Sequence, residues 1–153
     1  MPIEARLDEL GLDLPAPPAP VANYVPYKLH GGLLYISGQI PLRNGAPLHT
    51  GLVGEQVSLE QGRECARLCL LNGLGWARSA LDGELDRIAE VLRVRGFVAC
   101  SAGFGDQPAV ANGASDLLVE IFGDAGRHTR SVVGCSSLPL NVPVEIDFLF
   151  ALR

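Results

Sequence analysis

The sequence predicts an α+β fold, a mixed β-sheet with two helices packed on one face. Three observations carry that expectation. Two long segments, Ser58–Leu81 and Pro108–Phe122, repeat apolar residues at the spacing of amphipathic helices. Four shorter ones, Leu33–Pro41, Arg87–Cys100, Arg130–Cys135 and Pro143–Leu152, alternate or run apolar as strands do. Their order is strand, helix, strand, helix, strand, strand, so two helices cover one face and the other face needs a different cover. A second copy of the chain would supply it.

Each element has its own signals. IEARLDEL, residues 3–10, puts Ile3, Leu7 and Leu10 on one helical face, and Gly11 stops the helix. LDLPAPPAPVANY is Pro-rich and extended and is expected to lie across the domain surface. Residues 1–22 are thus an N-terminal extension of one domain spanning 1–153. LLYISGQIP is a buried strand ending between Gly38 and Pro41, and RNGAP supplies turn residues. Ser58, with Gln61 three residues on, has the spacing of a capping box. Ala66, Cys69, Leu70, Leu74, Ala77 and Leu81 then face the sheet, while Glu60, Glu64 and Arg67 face water, and Gly83 ends the helix. Gly73 and Gly75 let this helix approach the sheet closely. In RIAEVLRVRGFVAC, Leu92 and Val94 face away from Arg93 and Arg95, and Phe97–Cys100 is the more buried end. SAGFGDQP is a loop. Pro108 starts the second helix, with Val110, Leu117, Leu118 and Ile121 apolar. GDAGRHT is a second loop. In the last strand Val144, Ile146, Phe148 and Phe150 alternate with Glu145 and Asp147.

The bulk properties exclude several classes. A chain of 153 residues suits one domain with one core. A net charge of -5 disfavours nucleic acid as a partner, because such affinity comes from cations displacing counterions. The densest basic group is Arg87, Arg93 and Arg95, and the spacing of Arg93 and Arg95 reads as one exposed strand face. No apolar run approaches the roughly 20 residues of a membrane span, and Pro2 with the acidic segment after it does not resemble a signal peptide. A cytoplasmic protein with reduced thiols is expected. Cys65, Cys69, Cys100 and Cys135 form no CxxC pair, and Cys65 and Cys69, four apart on one side of the predicted helix, read as small core residues. His30, His49 and His128 lack metal-ligand spacing, so structural or solvent-exposed roles are expected and no metal site is predicted. There is no GxSxG elbow and no P-loop, and NGLGW lacks the third glycine of a dinucleotide signature.

Six residues stand out: Tyr24, Ser37, Gly38, Asn112, Arg130 and Glu145. Singly, each has a plain structural role as a packed ring, a strand end, an exposed helix residue or a wet strand face. Arg130 has the side chain best suited to grip a planar carboxylate through two parallel hydrogen bonds.

Two stretches carry a resemblance. They are YISGQIP, Tyr35–Pro41, and the tail in which Arg130 and Ser131, Leu138 and Pro139, and Val144 and Glu145 follow at ungapped spacing. Together they resemble the reactive intermediate deaminase family, also called YjgF-like or endoribonuclease L-PSP. The likeness runs from about Tyr24 to the C-terminus. It implies a chorismate-mutase-like fold, a homotrimer, and clefts between subunits that bind small carboxylates or imino acids. It implies hydrolysis of 2-imino or enamine acids to 2-keto acids and ammonia, with no metal or organic cofactor. On this chain it implies that Arg130 grips the substrate carboxylate and Glu145 orients or deprotonates the attacking water. Tyr24 would line the cleft, Ser37 and Gly38 would add hydroxyl and backbone contacts, and Asn112 would match a cleft asparagine.

The match departs from the family at Val132, where several members have cysteine, in the GCSSLPLN loop, and in the longer N-terminal segment. Cys135, an odd number of residues after Arg130 and Val132, would point to the opposite strand face. A non-catalytic carboxylate-binding or regulatory module is the alternative reading. An endoribonuclease, the family's older name, fits the acidic balance least.

Overall fold

The computed structural model describes residues 1–19 and 22–153. Pro20 and Val21, within the Pro-rich segment, lie outside it. The helices are α1 (Ile3–Glu9), α2 (Leu59–Ala80) and α3 (Gln107–Phe122). The strands are β1 (Tyr27–His30), β2 (Leu33–Gln39), β3 (Leu42–Arg43), β4 (Ala46–Pro47), β5 (Ile88–Ala99), β6 (Thr129–Cys135) and β7 (Val144–Leu152). Five strands form a mixed sheet in the order β1-β2-β7-β5-β6, antiparallel except for the β5–β6 pair. A parallel neighbour needs a crossover, and α3 supplies it. The α+β expectation holds.

Alternation along β7 makes the two faces unlike. Val144, Ile146, Phe148 and Phe150 are buried against the helices, and Glu145, Asp147 and Leu149 lie on the other face. Phe148 and Phe150 stack with ring centroids 6.2 Å apart, and each buried ring contributes about 1.5–3 kcal/mol. A Cβ on Gly73 would sit 3.0 Å from the Phe148 ring, so this glycine does let α2 down onto the sheet. Gly75 serves a different neighbour. A Cβ there would collide with the carbonyl of Pro15, so it makes room for the Pro-rich segment rather than for the sheet.

Ser58 caps α2 with a complete capping box. α1 is anchored rather than loosely appended. Ile3 and Leu7 are buried, the Ile3 amide donates to Asp86, and Arg78 holds Glu4 through two hydrogen bonds of 3.0 and 2.6 Å.

Several sequence expectations change. Leu92 does not share a face with Val94. The β5–β7 register slips between Val91 and Arg93, and this bulge turns Val91 into the core instead, leaving Leu92 half-buried. RNGAP is the tip of a small hairpin, β3–β4, turned by Asn44 and Gly45, both with positive φ. Gly123–Gly126 of the GDAGRHT loop forms one 3₁₀ turn. β1 was not anticipated, because Lys28, Leu29 and His30 are all exposed and carry no alternation. Cys65 and Cys69 are core residues as expected, and Cys100 and Cys135 are half-buried at the end of the β5–β6 pair. No helix among the described residues is long and apolar enough to cross a membrane.

Candidate active site

The open face of the sheet, away from the helices, carries a cavity of about 480 Å³. Glu145, Tyr24, Ser37 and Gly38 line it, together with Arg93, Arg95 and Asp147. Gly38 lies where β2 slips its register against β7 between Ile36 and Gln39. A Cβ there would stand 2.9 Å from Glu145 Oε1, so the carboxylate rests directly on the glycine. The Ser37 hydroxyl donates to the Val25 carbonyl at 2.7 Å, and the Ser37 amide donates to Pro26. Its proton therefore ties the Tyr24–Pro26 segment to β2, which brings the Tyr24 ring, 65% exposed, to the cavity rim.

Electrostatics separate the two acids. Asp147 is engaged by Arg95 Nε at 3.0 and 3.1 Å. Glu145 is half-buried, and burial, with Asp147 nearby, raises its pKa above the ordinary carboxyl range. A raised carboxyl exchanges a proton nearer neutral pH, which suits general acid–base work.

Arg130 sits elsewhere. It pairs in register with Val94, which in turn pairs with the buried Phe148, so Arg130 projects on the helix face. Glu145 is three residues from Phe148 on a regular strand and projects on the open face. Within one protomer the two residues therefore point to opposite sides of the sheet. Arg130 is instead held by α3, because Nη1 donates to Asn112 Oδ1 at 2.8 Å and to Ser115 Oγ at 3.1 Å. Neither bond uses Nε or Nη2, the edge a carboxylate would take in a fork. Ser115 Oγ lies 2.9 Å from His128 Nε2, and His128 Nδ1 donates to the Gly126 carbonyl at 2.6 Å. That second bond puts the proton of a neutral imidazole on Nδ1 and leaves Nε2 to accept from Ser115.

Ser115 and His128 are thus site residues that the sequence reading missed or gave no specific task. One signal was present. Ser115 follows Asn112 by three residues, on the same face of α3. Nothing local to His128 points to Arg130. Cys135 stands outside the run Arg130, Val132, Gly134. A Cβ on Gly134 would meet Cys100 and Gln107, the first residue of α3, so that run faces the helices and Cys135 turns away from it.

Residues 4–152 match the family described as "YjgF/chorismate mutase-like, putative endoribonuclease". The chain belongs to this family. The YjgF-like chain is 41% identical over 152 residues to Protein TCP17 of Trypanosoma cruzi, covering 99% of this chain and 94% of that protein. Its fold matches the crystal structure of a protein of unknown function from Agrobacterium tumefaciens with a TM-score of 0.92 and 44% identity, over 99% of this chain and 92% of the other. A structure described as a "putative endoribonuclease" from Shewanella oneidensis matches with a TM-score of 0.94 and 36% identity, over 99% of this chain and 100% of the other.

Proposed function

We propose that this YjgF-like protein is a hydrolytic deaminase of small 2-imino and enamine acids, working at clefts between the subunits of a homotrimer. The observation that carries the reading is the division of the site. Glu145, Gly38, Ser37 and Tyr24 line the open-face cavity, while Arg130 is braced on the other face of the same sheet. A cleft holding both halves needs Arg130 from one protomer and Glu145 from its neighbour. The open face also leaves Tyr35, 41% exposed, and Val133, 53% exposed, for a partner to cover.

In this reading the Nε–Nη2 edge of Arg130 takes the substrate carboxylate. Glu145, as carboxylate, accepts a proton from water as the water oxygen bonds to the imine carbon, and passes that proton to the nitrogen. The tetrahedral carbinolamine then collapses. Glu145 takes the hydroxyl proton and hands it to the amino nitrogen, and the C–N bond breaks as the C=O bond forms. The products are the 2-keto acid and ammonia, and Glu145 is again a carboxylate. An enamine acid enters after tautomerising to the imine. The work is mainly proximity, since the electrophile already reacts with water. The four free cysteines fit a reducing, cytoplasmic setting.

The test is hydrolysis of freshly generated 2-iminopropionate by wild type and Arg130→Ala. Faster ammonia release by wild type alone upholds the reading. No acceleration by wild type overturns it and leaves a carboxylate-binding or regulatory role, for which Val132 in place of a cysteine is the supporting observation.

A further inference from the structure

A second cavity, of about 590 Å³, lies beside the first and has a different chemistry. Pro17 and Pro18 of the N-terminal strap form one wall, Trp76 of α2 forms another, and Ile40 and Leu42 form the base. No charged side chain lines it among the described residues. Its most prominent amide, Asn72, has its nitrogen committed to the carbonyls of Ile40 and Leu42, both at 3.1 Å. The volume falls within the roughly 300–1,000 Å³ typical of small-molecule sites. The chemistry favours an apolar occupant, because a carboxylate or ammonium would lose its hydration with no opposite charge to replace it.

The two cavities share Tyr24, Ser37 and Gly38. Gly38 has no side chain, so the partition beside Glu145 is thin at that point. A ligand whose reacting carbon lies against Glu145 would extend its side chain past the shared boundary of Tyr24 and Gly38 toward Trp76. The strap wall is built into the fold, since Gly75 makes room for Pro15 against α2 and α1 is pinned by Glu4 and Ile3.

We propose that this cavity is the side-chain subsite of the enzyme, and that the substrates it selects are 2-imino acids with large apolar side chains, aromatic or branched aliphatic. The inference rests on the deaminase reading for the chemistry, but not for the binding.

The experiment measures kcat/KM for imines generated in situ from L-phenylalanine, L-leucine and L-alanine, on the full chain. Wild type is expected to favour the first two over the third by roughly tenfold or more, the scale of apolar pocket discrimination. Trp76→Ala, which removes a wall, and Gly75→Ala, whose Cβ pushes the strap wall outward without changing any lining residue, are each expected to collapse that ratio toward one. A wild-type ratio near one, or a ratio unchanged in both variants, overturns the subsite. If no imine is hydrolysed, the deaminase reading fails and calorimetric titration with phenylpyruvate and pyruvate decides the cavity by itself. Tighter phenylpyruvate binding that is lost in Gly75→Ala upholds it, and equal affinities for the two keto acids overturn it.

Discussion

Arg130 and Glu145 leave the same sheet on opposite faces, one braced by Asn112 on α3 and the other resting on Gly38 of β2. If a cleft uses both, the two come from different protomers. Arg130→Ala and Glu145→Gln, each inactive alone, are therefore expected to regain activity when unfolded together and refolded as mixed oligomers. Some interfaces in the mixture then carry both native residues. Ammonia release by the refolded mixture checks this, and a mixture as inactive as its parents argues for a site within one protomer.

The brace on Arg130 predicts a graded series. Arg130→Lys keeps the charge and loses the fork, so KM is expected to rise about tenfold or more, from the roughly 1.5–3 kcal/mol of a hydrogen bond to a charged group. Asn112→Ala and Ser115→Ala leave the guanidinium but remove one tether each, at about 0.5–1.5 kcal/mol. A rise in KM of about two- to tenfold follows, with kcat less affected. Steady-state kinetics separates the two parameters.

Gly38→Ala tests the contact between glycine and carboxylate. The new methyl would stand 2.9 Å from Glu145 Oε1, so the carboxylate must swing away. A displacement on the order of 1 Å costs about 10²-fold in rate. Gly38 is exposed on a strand end, so the melting temperature is expected to stay near wild type while kcat falls.

Glu145 also links activity and stability to pH. Burial raises its pKa, so the folded state holds this proton more tightly than the unfolded chain does. Its contribution is present in acid and is lost as pH rises through the raised pKa. Glu145→Gln, which cannot ionise, is expected to raise the melting temperature at neutral pH and to change it little below the ordinary carboxyl range. The same variant is expected to lose about 10²–10⁴-fold in rate. Parallel pH series of thermal unfolding and kcat check both signs.

Thiol reactivity separates Cys65 and Cys69 from Cys100. Burial pushes Cys65 up to about 11 and Cys69 well above its usual value. Both are expected to resist a thiolate-directed reagent at neutral pH in the native protein and to react on unfolding, whereas half-buried Cys100 reacts natively. Counting labelled sites by mass before and after denaturation measures this.

Much of the molecule was determined by the sequence alone. The helical spacing behind Ser58, the proline in the first turn of α3 and the alternation in β7 are local patterns, set by backbone preference and by which side chains can share one face, and they needed no partner to be legible. The six candidate site residues also came from the chain itself. What it could not specify was their grouping. Whether Gly75 clears the sheet or the strap, whether Val91 or Leu92 enters the core, and whether Arg130 stands with Glu145 or with Asn112, Ser115 and His128 depend on strand register, one bulge and a helix crossover. Those relations join residues far apart in the chain, and they exist only once the sheet has paired and chosen which face to cover.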